Sequence, residues 1–204
     1  MTTNKLTMTL AMTAALGVFA VGGAMAFAAV PGSTPTPAAG SQALQSPLTG
    51  DAKIAQDCLG TAGDVANKAS WRPGARINLD ANHGFLVIRD DKNAAVCVIE
   101  DGKGTGLMGG VIDNHGYGKL TAQRPFDYLT SMNYAHQSVH FGIAATDVTG
   151  VTLVGPNKSE AAAVVKDGTF AVLAKDAENS NASTTNHIRV TLANGGVVSG
   201  PFRG

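Results

Sequence analysis

The sequence predicts a mainly β or α+β domain, with one N-terminal helix packed on an antiparallel β-meander or sandwich. Three observations carry this prediction. A single stretch of helical periodicity starts at Asp51, and after it come apolar runs of strand length. Turn-forming residues separate those runs, as at Asp167-Gly168 and Asn194-Gly195. No further helical stretch recurs between the runs, so alternating βαβ units are not expected. Composition agrees: charged residues are 15% against about a quarter in ordinary soluble domains, glycine is abundant at 25 residues, and a 44% hydrophobic fraction suffices for a core.

Three segments follow from the N-terminus. Residues 1–26 read as an export signal, because Lys5 precedes an uncharged run over residues 6–30 and Ala24-Met25-Ala26 places small residues where a signal peptidase cuts. Thr7, Thr9, Thr13, Gly17, Gly22 and Gly23 dilute that run, so it suits a cleaved signal better than a membrane anchor. No twin arginine precedes it and no cysteine follows closely, which favours general secretion. Residues 27–50 form an uncharged linker; its four prolines, Pro31, Pro35, Pro37 and Pro47, make it a tether. Residues 51–204 form a single globular β-rich domain.

Within that domain, Ile54, Ala55, Cys58, Leu59, Ala62, Val65 and Ala66 recur at helical spacing, with Asp51 as a cap or first-turn acid and interruptions at Gly60 and Gly63. The clearest hairpin joins residues 85–88 to residues 95–99 across the polar stretch 89–93. Further apolar runs span residues 139–145, 148–154, 161–165, 170–174, 188–192 and 197–198, and they read as an antiparallel meander. Residues 176–186 read as a long polar surface loop. The two cysteines, Cys58 and Cys97, both lie in the exported part, where an oxidising compartment favours a disulfide. Such a bridge would staple the helix to a strand. The alternatives are a reactive thiol, for which no local motif supplies a base, and two buried free thiols.

Charge excludes some partners. The chain carries 15 basic and 15 acidic side chains, and removing Lys5 with the signal leaves a formal charge of −1. With no basic face and no run of Lys and Arg, no nucleic acid partner is expected, and no stable membrane insertion after signal removal. An unknown protein or envelope ligand is the expected partner.

Motifs of known chemistry are scarce. Gly104-Thr105-Gly106-Leu107-Met108-Gly109 has the form of a dinucleotide fingerprint, with Asp127 downstream, but the residues after it oppose the helix such a site needs. It reads as a glycine-rich loop between strands, and no cofactor is expected. Gly102-Lys103-Gly104-Thr105 fails as a phosphate loop because no Ser or Thr follows the lysine. His136 and His140 stand four apart and are the metal candidates, with His115 or His83 as a third ligand; otherwise they bond to solvent or backbone, and no metal is expected. The local signatures of zinc peptidases, α/β-hydrolases and penicillin-binding enzymes are missing. Asp80, Glu100, Asp101, Asp113 and Asp127 could still meet in a hydrolytic cleft.

Asn82-His83-Gly84-Phe85 and Asn114-His115-Gly116-Tyr117 repeat one pattern and read as equivalent turns. The stretch beyond concentrates aromatic and polar side chains, and His115, Tyr117, Arg124, Tyr128 and Tyr134 are the candidate ligand-binding residues. Asn157-Lys-Ser159 and Asn181-Ala-Ser183 match glycosylation acceptors.

From Val148-Thr-Gly-Val-Thr-Leu-Val154 through Asp167-Gly168-Thr169-Phe170-Ala171-Val172, residues 139–174 resemble a β-meander of uncharacterised exported proteins from high-GC Gram-positive bacteria. The chain has Val172-Leu173 where those proteins often place tryptophan. The resemblance implies a bacterial source and an extracytoplasmic location, either secreted or associated with wall or membrane; it transfers no catalytic residue.

Together these features point to a non-catalytic ligand- or partner-binding module. The alternative is an envelope-directed hydrolase using dispersed carboxylates or a His-metal site around Asp113, His115, His136 and His140. A purely structural wall protein would show repeats that are missing here. The export reading predicts that protein recovered from culture medium begins near Phe27 or Ala29, with an intact mass two hydrogens below that of the reduced chain. A full-length chain confined to membranes would refute cleavage.

Overall fold

The structure is a computed structural model and describes residues 49–113, 117–134, 137–174 and 185–203. The expected signal and nearly all of the linker lie outside the described residues, as do His115, His136 and the second glycosylation acceptor.

The predicted helix is α1 (Gly50–Thr61), with Ile54, Ala55, Cys58 and Leu59 as its buried stripe. It ends earlier than the periodicity suggested, which corrects the expectation that it runs on to Ala66. The Ala62 amide donates to the Cys58 carbonyl at 3.2 Å, and the Thr61 hydroxyl donates to the same oxygen at 2.8 Å. Ala62 itself is extended, so the chain leaves the helix there and Val65 approaches the core from a loop. Asp51 sits in the first turn, where its carboxylate accepts from Arg76 at 2.9 Å and Lys166 at 3.3 Å.

Three antiparallel sheets follow, confirming the mainly β or α+β class. The first is a meander, β1 (Arg72–Asn78), β2 (Gly84–Arg89), β3 (Ala94–Glu100) and β4 (Lys103–Met108), in that order across the sheet. Its central pair is the expected hairpin, with Leu86 opposite Cys97 and Val87 opposite Val96. β4 corrects the reading of residues 104–109 as a loop: Gly104 and Gly106 lie within a strand, which leads into a 3-10 turn over Gly110–Asp113.

The second half is not a meander, and this too is a correction. β5 (Phe126–Tyr134), β6 (Gln137–Ala144), β9 (Val164–Lys166) and β10 (Thr169–Ala174) form a sheet ordered β5-β6-β10-β9. β7 (Val148–Val154), β8 (Glu160–Ala162), β11 (His187–Leu192) and β12 (Val197–Pro201) form another, ordered β12-β11-β7-β8. After β6 the chain crosses to the third sheet, returns at Ala163 between β8 and β9, and crosses again to β11. The reason is two-sided burial. Val139, Phe141 and Ile143 of β6 face the first sheet with Phe85, Val87 and Val96, whereas Ala144 joins Val151, Leu153, Ile188 and Val190 of the third. The second sheet is therefore the middle layer, with α1 and the first sheet on one side and the third sheet on the other.

Asn186, expected on a surface loop, is instead fully buried; its carbonyl accepts the Phe202 amide at 2.8 Å. Phe202 closes the core between second and third sheets, its ring meeting Tyr128 at 5.0 Å and Phe170 at 6.0 Å.

Cys58 and Cys97 are joined in a disulfide and both are fully buried, so the helix is stapled to β3 as expected. The same contact requires Gly104, since a methyl group there would collide with the Ile54 carbonyl. With a separation of 39 residues, removing the bridge is expected to cost about 4 kcal/mol on the chain-entropy model. Denaturant unfolding of Cys58→Ala/Cys97→Ala should show that loss, and Gly104→Val should fail to reach the native fold. Unchanged stability in both would refute this account.

Candidate functional site

The residues expected to bind a ligand occupy separate structural roles. The Tyr117 hydroxyl accepts from Arg89 Nη2 at 3.0 Å and donates to the Asp90 carbonyl at 3.3 Å, while Arg89 Nη1 donates to the Gly168 carbonyl at 2.9 Å. This ties the first sheet to the β9–β10 turn, and burial pushes the Tyr117 hydroxyl above its ordinary range despite the nearby Arg89. Arg124 donates to the carbonyls of Pro201 at 3.1 Å and Phe202 at 3.2 Å, and lies over the Phe126 ring at 4.9 Å. Tyr128 contacts Ser131 at 3.1 Å and carries the Arg203 guanidinium 5.2 Å from its ring centre. Arg124 and Tyr128 thus meet at Phe202, Tyr117 belongs to the Arg89 contact, and Tyr134 is exposed at the end of β5.

Of the dispersed carboxylates, Asp80 and Asp127 have local partners. Asp80 accepts from the amides of Asn82 at 2.7 Å and His83 at 2.8 Å, and these bonds hold it below the ordinary carboxylate range. That geometry is the expected turn for the first Asn-His-Gly copy; the second copy lies outside the described residues. Asp127 accepts from the Gly118 amide at 2.6 Å and faces Arg124 at 3.7 Å. Glu100 and Asp101 lie exposed at the turn between β3 and β4. Among the described residues, no group of three or more His, Cys, Asp and Glu side chains could hold a metal ion.

Among the described residues, His140 is the one strongly perturbed group. It is fully buried on β6, its Nε2 lies 3.0 Å from the Ser138 hydroxyl, and its ring meets Phe202 at 5.8 Å. Its Nδ1 has no hydrogen-bond partner among the described residues, and burial lowers its pKa to about 4. A hydroxyl beside a neutral imidazole is the pairing that a nucleophile and its base would use. Here both side chains are sealed between the second and third sheets, out of reach of a substrate.

Accessible concave surface lies elsewhere, on both ends of α1. At its C-terminal end an open cleft of about 530 Å³ is lined by Thr61 at the end of the helix, by Asp64 and Val65 after it, by Thr105 and Leu107 of β4, and by Val111 and Ile112. The early helix end creates it: the chain becomes extended at Ala62, and the residues from Ala62 to Val65 form one wall while Thr105, Gly106 and Leu107 of β4 form the other. The disulfide fixes its floor, with the Gly106 carbonyl oxygen 3.0 Å from Cys58 Sγ. Thr105 and Leu107 stood out in the sequence only within a glycine-rich stretch read as a loop, and Val65 only as part of the helical stripe; nothing marked them as lining one cleft with Asp64 and Ile112. A smaller cleft of about 300 Å³ at the N-terminal end is lined by Lys53, Asp57 and Arg76 among others. There Lys53 pairs with Asp57 at 2.8 Å and Arg76 with Asp51 at 2.9 Å.

Comparison with protein-family models, curated proteins and solved structures finds no match for this chain.

His140 predicts a distinct acid response. Because its folded pKa lies below the ordinary value of about 6.5, the unfolded chain binds the extra proton in between. Its contribution to stability is complete above about pH 6.5 and is lost as pH falls toward 4, by up to about 1.4 kcal/mol per pH unit. Denaturant titrations from pH 7 to 4 should show this slope in the native protein and its loss in His140→Leu. An unchanged slope in the variant would assign the acid response to other groups.

Proposed function

We propose that this chain is an exported, non-catalytic module that binds a protein or envelope ligand in the cleft between the end of α1 and β4. The observation that carries the reading is the chemistry of that cleft. It is open, its walls are apolar and hydroxyl side chains, and among the described residues Asp64 is the single ionisable group lining it. One carboxylate provides no acid-base pair, whereas an apolar wall beside hydroxyls and exposed main chain is the usual make-up of a recognition site. Asp80 and Asp127, which a hydrolase would need free, are committed to backbone amides. Export is supported by the signal-like residues 1–26, by the tether after them, and by a disulfide of the kind that persists in oxidising compartments. The resemblance over residues 139–174 supports a high-GC Gram-positive source.

A photo-activatable cross-linking residue in place of Ile112, 44% exposed at the cleft, tests this in the cells that make the protein. A discrete adduct is expected from that position and none from the exposed Lys92 on the β2–β3 turn. Turnover of envelope material by the purified protein, abolished by Asp64→Asn, would overturn the binding reading in favour of a hydrolase.

A further inference from the structure

We infer that β4 receives an extended peptide as an added strand of the first sheet, with an apolar side chain of that peptide in the adjoining cleft and a basic one beside Asp64. This rests on the binding reading above and names the ligand class for the same site.

β4 is the end strand of a four-stranded sheet and, among the described residues, pairs only with β3. A strand edge offers amide and carbonyl groups at the repeat of another extended chain, which a peptide matches directly. Three of the other five sheet edges, β1, β12 and β8, are obstructed or short. β1 lies against the second sheet, where the Ala75 amide donates to Thr169 Oγ1 at 2.7 Å. β12 ends at Pro201, which has no amide hydrogen, and Arg124 occupies the carbonyls of Pro201 and Phe202. β8 has only three residues.

At β4 the edge coincides with a cleft. Val65, Leu107, Val111 and Ile112 supply apolar walls of the size that takes one or two aliphatic side chains, and Ile112 is 44% exposed. Charge gives the cleft a polarity. Asp64 is exposed, while the nearby Lys68 ammonium is turned to the Ala62 carbonyl at 2.7 Å. A ligand's Lys or Arg therefore finds an acid free of any salt bridge among the described residues. The register of β3 and β4 slips between Val98 and Ile99 and leaves Thr105 without a partner, so Gly106, Leu107 and Met108 are the regular positions beyond the slip. The docked segment is accordingly short.

The test uses three synthetic hexapeptides with blocked ends and the full exported chain, followed by amide chemical shifts. The first alternates valine and threonine after an N-terminal lysine, the second replaces that lysine by glutamate, and the third replaces the central valine of the first by proline. The lysine peptide is expected to shift the amides of Asp64 and of residues 105–108 saturably. The proline peptide should bind at least about ten-fold more weakly, having lost a main-chain donor. Asp64→Asn should weaken the lysine peptide about three-fold and abolish its advantage over the glutamate peptide. Ile112→Asp, an exposed change that leaves the core intact, should abolish binding of all three. Equal binding of the proline peptide, or no saturable shift at β4, would overturn strand addition. If the Ile112 cross-link persists while no peptide binds, the cleft binds a different class of molecule; loss of both would overturn the binding reading as well.

Discussion

Burial of the second sheet on both faces is the constraint on which the remaining architecture depends. β6 and β10 are enclosed along nearly their whole length, so each needs apolar partners in front and behind. The first sheet meets one face through Phe85, Val87 and Val96, and the third meets the other through Val151, Leu153, Ile188 and Val190. Neither outer sheet could be solvated on its inward face. The chain therefore alternates between the second and third sheets, because strands that bury opposite faces of one layer cannot all be sequential neighbours within it. Gly142 belongs to the same constraint: it lies opposite Phe170, whose ring occupies the space a side chain would fill. Phe202 and His140 complete the packing on that side, and the cost of burying an imidazole there is expressed in its lowered pKa.

The helix end of the molecule is governed by different physics. Here one short helix covers the outer face of the first sheet, and the disulfide with Gly104 brings it into direct contact with β3 and β4. Asp51 anchors its first turn to β1 and β9 through Arg76 and Lys166. In Asp51, hydrogen bonds and charge from these two cations overcome the opposing effect of burial and hold the carboxyl below its ordinary range. Because the helix stops at Thr61, it covers only part of the sheet, and the cleft beside β4 is the uncovered remainder. A site formed in this way is a by-product of where an element ends.

Periodicity made some elements legible and hid others. The hairpin of β2 and β3 was readable because both strands are unbroken apolar runs around a turn whose Asp90 carboxylate accepts from the amides of Lys92 at 2.7 Å and Asn93 at 2.6 Å. β1 and β4, reading Arg-Pro-Gly-Ala-Arg-Ile-Asn and Lys-Gly-Thr-Gly-Leu-Met, carry no such run and were invisible as strands. They are held by pairing to β2 and β3, which supply hydrogen bonds whatever the side chains. The helix was overextended because Val65 does pack on the same cluster as Leu59, from a loop position that helical spacing mimics. Ligand-binding candidates chosen for aromatic and polar character are engaged by the fold itself: Tyr117 donates to the Asp90 carbonyl, and Arg124 to the carbonyls of Pro201 and Phe202.

The sequence by itself determined the mainly β or α+β class, the single helix, the central hairpin and the Cys58–Cys97 staple. Each follows from local periodicity, turn chemistry or the scarcity of cysteine, which are properties of neighbouring residues. Only the tertiary structure decided which sheet each later strand joins, that His140 is sealed and neutral, and that the open cleft lies beside β4. Those outcomes depend on which faces are covered by residues distant in the chain. An apolar run records that a strand is buried, but it carries no mark of what buries it.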